Sequence, residues 1–177
     1  VDQADLDCLV CEAETEPTAT AAFEGPVATV DTPSHGATDL ATVTPETFEM
    51  PAWDRECPQA LVATSGTTGG PKLVELTSSN LLSSAAASSW RLGVLPRDRW
   101  YCTLPIYHMG GLAPIYRSVL YGTAVVVGSP GSFDPERMLR ELRQHDATCI
   151  SLVPTMLRDL LDADDAGVMP DLRFVLV

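Results

Sequence analysis

Thr64-Ser65-Gly66-Thr67-Thr68-Gly69-Gly70-Pro71-Lys72 places three glycines, four hydroxyls and one lysine in nine consecutive residues. The apolar run Ala60-Leu61-Val62-Ala63 leads into it, and Leu73-Val74-Glu75-Leu76 alternates after it. Those flanks read as two strands joined by a small, donor-rich loop. Glycines let backbone N–H groups approach a phosphate closely and turn together into a concave nest. The hydroxyls of Ser65, Thr67 and Thr68 add donors. Lys72 adds a compact charge on a flexible stem, and it is the only lysine in the chain, every other basic residue being arginine. Gly, Ser, Thr and Pro also build ordinary surface turns. The full nine-residue order, with its single lysine, favours nucleotide phosphates instead. The ATPase loop is a different pattern, since it needs Gly-Lys-Ser/Thr opening a helix and Pro71 stands before Lys72 here. A dinucleotide fold is disfavoured because no glycine triplet opens a helix.

The residues Thr64 to Lys72 resemble the phosphate-loop signature of the adenylate-forming ligases: acyl-CoA synthetases, peptide adenylation domains and luciferases. The signature in that family ends Pro-Lys-Gly, whereas Leu73 follows Lys72 here. The resemblance covers residues 57–177 well and 1–56 weakly.

Composition narrows the partners. Net charge is −13. Residues 1–56 hold 13 acids and one base, Arg55, while residues 57–177 hold 11 acids and 10 bases. A nucleic-acid surface would carry the opposite sign. Many Asp and Glu, one Lys and abundant Ala and Thr fit solubility in strong salt, so the expectation is a halophilic, cytoplasmic protein. No apolar run approaches the ~18 residues of a membrane span, and the acidic start Val1-Asp2-Gln3-Ala4-Asp5 has no basic-plus-apolar leader. The five cysteines, Cys8, Cys11, Cys57, Cys102 and Cys149, read as reduced thiols in apolar settings. Cys8 and Cys11 have the spacing of half a zinc site, but no second pair accompanies them.

Residues 1–12, with Leu6, Leu9 and Val10, read as one strand and Val27 to Val30 as a short one, with a Thr-, Ala- and Glu-rich loop holding Pro17 and Gly25 between them over residues 13–25. Residues 36–58, broken by Pro45, Pro51 and Pro58, read as a connector, and His35 as a solvated turn residue. Thr77 is the expected N-cap of a small-residue helix ended by Gly93. From residue 97 onward strands and helices alternate. The strands are Trp100–Leu104, Thr123–Val127, Ala147–Val153 and a final one near Phe174. Asp134-Pro135 and Pro154 open two of the helices. The inward faces expected are Met138, Leu139 and Leu142, then Met156, Leu157, Leu160 and Leu161. His145 closes a helix and faces its dipole. Such alternation argues for βα units and a mainly parallel sheet.

Two further residues stand out. His108 follows Pro105-Ile106-Tyr107 at the carboxyl end of a strand, where open α/β sheets place ligands. Arg117 lies within Ile115-Tyr116-Arg117-Ser118-Val119-Leu120. A guanidinium in so apolar a run must either reach solvent or meet an anion, and a carboxylate would match its fork. Residues 105–122 as a block are similar to the o-succinylbenzoate–CoA ligases of menaquinone biosynthesis, where Pro-Ile-aromatic-His leads into Arg-Ser-Val and Tyr-Gly.

That resemblance implies an α/β fold of mainly parallel sheets with packed helices, part of the large N-terminal domain of a ligase. Residues 1–56 would form an acidic N-terminal segment with few strands and a Pro-rich connector. Residues 57–177 would form a partial ATP/AMP-binding domain, inactive alone. It implies ATP, Mg2+ and CoA as cofactor and co-substrates, and a small carboxylic acid as partner. Thr64, Ser65, Gly66, Thr67, Thr68, Gly69, Gly70 and Lys72 would hold ATP. His108 would help place the reacting carboxylate, and Arg117 would grip a second one. Other aryl or fatty acids, or a non-catalytic nucleotide-binding role, are the alternatives.

Overall fold

The computed structural model describes residues 7–30, 33, 36–44, 52, 54–64, 72–128, 132–164, 167 and 169–177. These fall in two units, Val1–Ala52 and Trp53–Val177.

In the first unit, β1 (Leu9–Cys11), β2 (Val27–Thr29) and β3 (Thr38–Asp39) form a parallel sheet in that order. The link between β1 and β2 is not the loop expected from its Thr, Ala and Glu content. It holds a helix, α1 (Glu16–Ala22), with Pro17 in its first turn. A proline there costs no hydrogen bond, because the first amides of a helix have no partner within it. Glu16 is fully buried, and its Oε1 accepts from the Ala37 amide at 2.8 Å.

In the second unit, β4 (Pro58–Thr64) and β5 (Lys72–Thr77) pair antiparallel, with Thr64 opposite Lys72. The two strands expected to flank the stretch are therefore present. Helix α2 (Ser78–Leu92) begins with a reciprocal cap: Thr77 Oγ1 accepts from the Asn80 amide at 3.3 Å, and Asn80 Oδ1 from the Thr77 amide at 3.0 Å. Gly93 ends α2 at φ 72°, a left-handed conformation suited to glycine.

From there the chain runs β6 (Arg99–Cys102), α3 (Met109–Tyr121), β7 (Ala124–Val127), α4 (Pro135–Gln144), β8 (Cys149–Ser151), α5 (Pro154–Ala163) and β9 (Phe174–Leu176). These four strands are parallel, in the order β7-β6-β8-β9. Right-handed crossovers require α3 on one face and α4 and α5 on the other, since the chain reverses direction across the sheet after β7. The packing agrees. Tyr101, Ile150 and Leu152 meet Met138, Leu139, Leu142 and Leu160 in one core, and α3 packs on the opposite face against β6 and β7. Two details differ from the sequence reading. Leu161 is 57% exposed, because it is turned about 100° from its fully buried neighbour Leu160. Strand β7, read as buried, is half-exposed at the edge of the sheet. Among the described residues no helix is long and apolar enough to cross a membrane.

A bidentate ion pair anchors the amino ends of these strands. Arg173 Nε and Nη2 donate to Asp98 Oδ1 and Oδ2 at 3.0 and 2.6 Å. Arg173 also reaches the Leu92 and Gly93 carbonyls, joining α2 to the start of β9. The Asp98 carboxylate further accepts from the Leu95 amide and the Thr148 hydroxyl. Burial alone would raise the Asp98 pKa. Arg173 and the Leu95 amide outweigh it and hold the carboxyl below its ordinary value.

Candidate functional site

Two features face the expected chemistry, one on the β4–β5 hairpin and one at the carboxyl end of β6.

At the hairpin, antiparallel register brings Thr64 and Lys72 side by side, and Thr64 Oγ1 donates to the Lys72 carbonyl at 3.2 Å. Both residues are exposed. The nine-residue stretch thus leaves and re-enters the sheet at one point. Ser65, Gly66, Thr67, Thr68, Gly69, Gly70 and Pro71 lie outside the described residues.

Strand order locates the second feature. The connection from β6 goes to β7 on one side, and the connection from β8 goes to β9 on the other. Loops leaving β6 and β8 therefore diverge to opposite faces and open a crevice at their carboxyl ends, where α/β sheets bind ligands. Residues 103–108 leave β6 at this point. His108 is the N-cap of α3: its amide donates to the Pro105 carbonyl at 3.1 Å, and its carbonyl accepts from Gly111 and Leu112 at 3.1 and 2.9 Å. Its imidazole makes no capping bond and packs on the Tyr107 ring at 4.5 Å between centroids, both side chains being exposed. The positive end of the α3 dipole lies at this residue. Ser151, which the sequence reading did not single out, ends β8 on the other side of the crevice, where its hydroxyl accepts from Trp100 Nε1 at 3.3 Å. No motif marks Ser151; only strand order reveals its place.

Arg117 occupies a different level of α3. Nine positions from His108 at about 1.5 Å each separate them by ~13 Å along the axis. Its Nη2 donates to Ser84 Oγ on α2 at 3.2 Å, and its guanidinium carbon lies 5.8 Å from the centre of the Trp100 ring. Its Nε is buried, with no hydrogen-bond partner among the described residues. A pocket of about 200 Å³ opens nearby between β4, α2 and α3, lined by Gln59, Leu81, Leu82, Tyr116, Val119 and Leu120 among others. Neither Lys72 nor His108 lines it. The cysteines do not share one setting: Cys102 and Cys149 are buried, and burial raises both thiol pKa values. Cys8 and Cys57 are exposed and Cys11 is intermediate.

The family model described as "AMP-binding enzyme" matches residues 2–177. The chain belongs to the AMP-binding enzyme family. Among its relatives, the 2-succinylbenzoate–CoA ligase of Bacillus velezensis is 37% identical over 155 residues, covering 88% of this chain and 30% of that protein. The Bacillus cereus enzyme of the same name is 33% identical and covers the whole chain, but only 34% of its own length. The chain thus spans about a third of the AMP-binding relatives it matches. The solved o-succinylbenzoate CoA synthetase of Bacillus subtilis in complex with the acyl-adenylate OSB-AMP superposes with a TM-score of 0.76 at 32% identity, over 90% of this chain and 31% of that one. The same enzyme with ATP and magnesium gives 0.74 at 33% identity, over 88% and 31%.

Magnesium needs several oxygen ligands in near-octahedral geometry. The described residues contain no cluster of three His, Cys, Asp or Glu able to supply them. In nucleotide sites the ion is held by one or two carboxylates together with the substrate's own phosphates, so such a cluster is not what magnesium carried by ATP requires.

Proposed function

We propose that the protein carrying this chain is a cytoplasmic, AMP-forming acid–CoA ligase that activates o-succinylbenzoate for menaquinone biosynthesis, in a salt-loving cell. A carboxylate oxygen of the acid attacks the α-phosphorus of ATP, and pyrophosphate leaves with the β- and γ-phosphates. The thiol of CoA then attacks the acyl carbon of the acyl-adenylate, AMP leaves, and the thiol proton passes to solvent. The difficulty in the first step is crowded negative charge, and preorganised donors with a fixed cation relieve it. In this reading Thr64, Ser65, Gly66, Thr67, Thr68, Gly69, Gly70 and Lys72 hold the leaving phosphates, and His108 helps place the reacting carboxylate.

The observation that supports it most is the hairpin register. Thr64 and Lys72 face one another across β4 and β5, so the only lysine of the chain stands at the neck of the glycine- and hydroxyl-rich stretch. The 2-succinylbenzoate–CoA ligase name carried by relatives at 37% and 33% identity supports the choice of acid.

Arg117 has two readings. In the first, implied by the resemblance, it grips the second carboxylate of the diacid. The second is favoured by its bond to Ser84 and its place over Trp100: Arg117 ties α2, α3 and the sheet together.

Exchange of labelled pyrophosphate into ATP by the complete encoded protein tests the proposal. Exchange that depends on o-succinylbenzoate is expected, and the 177 residues alone are expected to give none. Exchange with benzoate or a fatty acid but not with o-succinylbenzoate would replace the substrate. No exchange with any acid would leave a nucleotide-binding protein without ligase activity.

A further inference from the structure

We infer that Gly111 is a positioning residue for His108, setting the place of the imidazole through the backbone of the loop that precedes it. This rests on His108 acting on the carboxylate, as proposed above. The chain leaves the buried strand β6 at Cys102 and enters α3 at Met109, so residues 103–108 must fold back across the first turn of the helix. His108 is the joint of that fold. Its amide is held by the loop, at the Pro105 carbonyl, and its carbonyl by the helix, at the Gly111 and Leu112 amides.

The fold-back brings two stretches of backbone together at Gly111. A Cβ built on this residue would lie 2.2 Å from the Leu104 carbonyl oxygen, 2.4 Å from that of Pro105 and 2.6 Å from the Pro105 carbonyl carbon. Carbon and carbonyl oxygen approach to about 3.3 Å, so one part must move by about 1 Å. The requirement is for space alone, since Gly111 is not among the glycines with positive φ.

The helix is the poorer candidate to move. Gly111 is itself buried, and its carbonyl accepts from the Cys102 thiol at 3.4 Å. Ala113, Pro114 and Ser118 are buried further along α3. The loop is the exposed partner: Pro105, Ile106 and Tyr107 face solvent. Displacement therefore passes into the Leu104-Pro105 backbone, and from the Pro105 carbonyl to the His108 amide that it holds. Gly110 differs. A Cβ there meets nothing nearer than the Leu104 Cδ1 atom at 2.8 Å, the far end of a flexible side chain.

An error of about 1 Å in placing a reacting group can cost on the order of 10²-fold in rate. In the complete protein, Gly111→Ala is expected to lower kcat for o-succinylbenzoate-dependent pyrophosphate exchange by about 100-fold, with the KM for ATP unchanged. Gly110→Ala is expected to stay within about twofold of the parent, its clash being with a rotatable side chain. Pro105→Gly adds no atoms and so cannot unfold the protein by overpacking. It frees the same loop, and a fall in kcat of about tenfold is expected even if Gly111→Ala does not fold. The double variant His108→Ala/Gly111→Ala separates positioning from a general defect: it should be no slower than His108→Ala alone. Losses that multiply in the double variant would overturn the inference. So would parental kcat in folded Gly111→Ala and in Pro105→Gly while His108→Ala is impaired. Parental activity in His108→Ala would instead remove the role of His108 itself, and the inference with it.

Discussion

At the scale of single residues, Lys72 and Arg117 carry opposite expectations although both are cations. The Lys72 side chain is exposed at the start of β5, so removing it disturbs little of the fold; such surface changes stay within about 0.5 kcal/mol. If its ammonium neutralises the leaving pyrophosphate, Lys72→Ala should lower kcat/KM for ATP by about 100-fold in the exchange assay, the size typical of one lost charge-stabilising donor. Melting temperature should be unchanged, and unaltered kinetics would remove Lys72 from the site. Arg117 is built into the packing instead. Lysine cannot reproduce its planar fork or its flat contact with an aromatic face, so Arg117→Lys should lose both the Ser84 bond and the Trp100 contact. From these contacts a drop of several degrees in melting temperature is expected, with equal KM changes for o-succinylbenzoate and benzoate. A KM rise of about tenfold confined to the diacid, some 1.4 kcal/mol, would establish the clamp instead.

At the scale of elements, the Asp98–Arg173 pair fixes where β6 and β9 begin, and it makes stability depend on acid. The Asp98 pKa lies below its unfolded value despite burial, through Arg173 and the Leu95 amide. Its contribution is therefore complete above the unfolded carboxylate pKa of about 3.9, and it is lost as pH falls through the lower, folded value. Asp98→Asn leaves Arg173 without its counter-charge and should cost about 3 kcal/mol at pH 7. The gap in melting temperature between parent and variant should close below about pH 4; a gap that stays constant down to pH 2 would show that the pair does not titrate as described. Sequence makes such elements legible to unequal degrees. Thr77 with Asn80, and Asp134 with Pro135, announce helix starts because capping is local chemistry. The two strands that flank the nine-residue stretch are legible because short apolar and alternating runs are local patterns. Pro17 misleads because a proline reads alike as a helix breaker and as a first-turn residue, and it takes the burial of Glu16 and Ala19 to show that α1 packs. Val125 to Val127 could be a central or an edge strand, as β-branched runs fit both. The partners of Gly111 and Arg117, and the place of Ser151 beside the β6 crevice, depend on strand order and on how a loop folds back, which no local pattern records.

At the scale of the whole molecule the governing quantity is charge. A net charge of −13 on 177 residues, with 13 acids against one base in residues 1–56, is self-repulsive. Repulsion of that kind destabilises a compact chain and reaches about 10 Å at 0.1 M salt but only ~3 Å at 1 M. Among the described residues Arg99 pairs with Asp146 at 3.9 Å, largely exposed, and Arg173 pairs with Asp98. With 24 acids against 11 Lys and Arg, the excess charge of −13 must be balanced by dissolved cations. Raising KCl from 0.1 to 2 M should then increase the melting temperature of the complete protein, with most of the gain below about 1 M, where screening changes fastest. The Asp98–Arg173 pair, with Asp98 buried and Arg173 partly so, is screened less by bulk ions and should contribute little of it, so Asp98→Asn should show nearly the same salt gain as the parent. Melting temperatures measured across the KCl series for both proteins decide the matter: a flat or falling curve for the parent would show that the acidic surface is not an adaptation to salt.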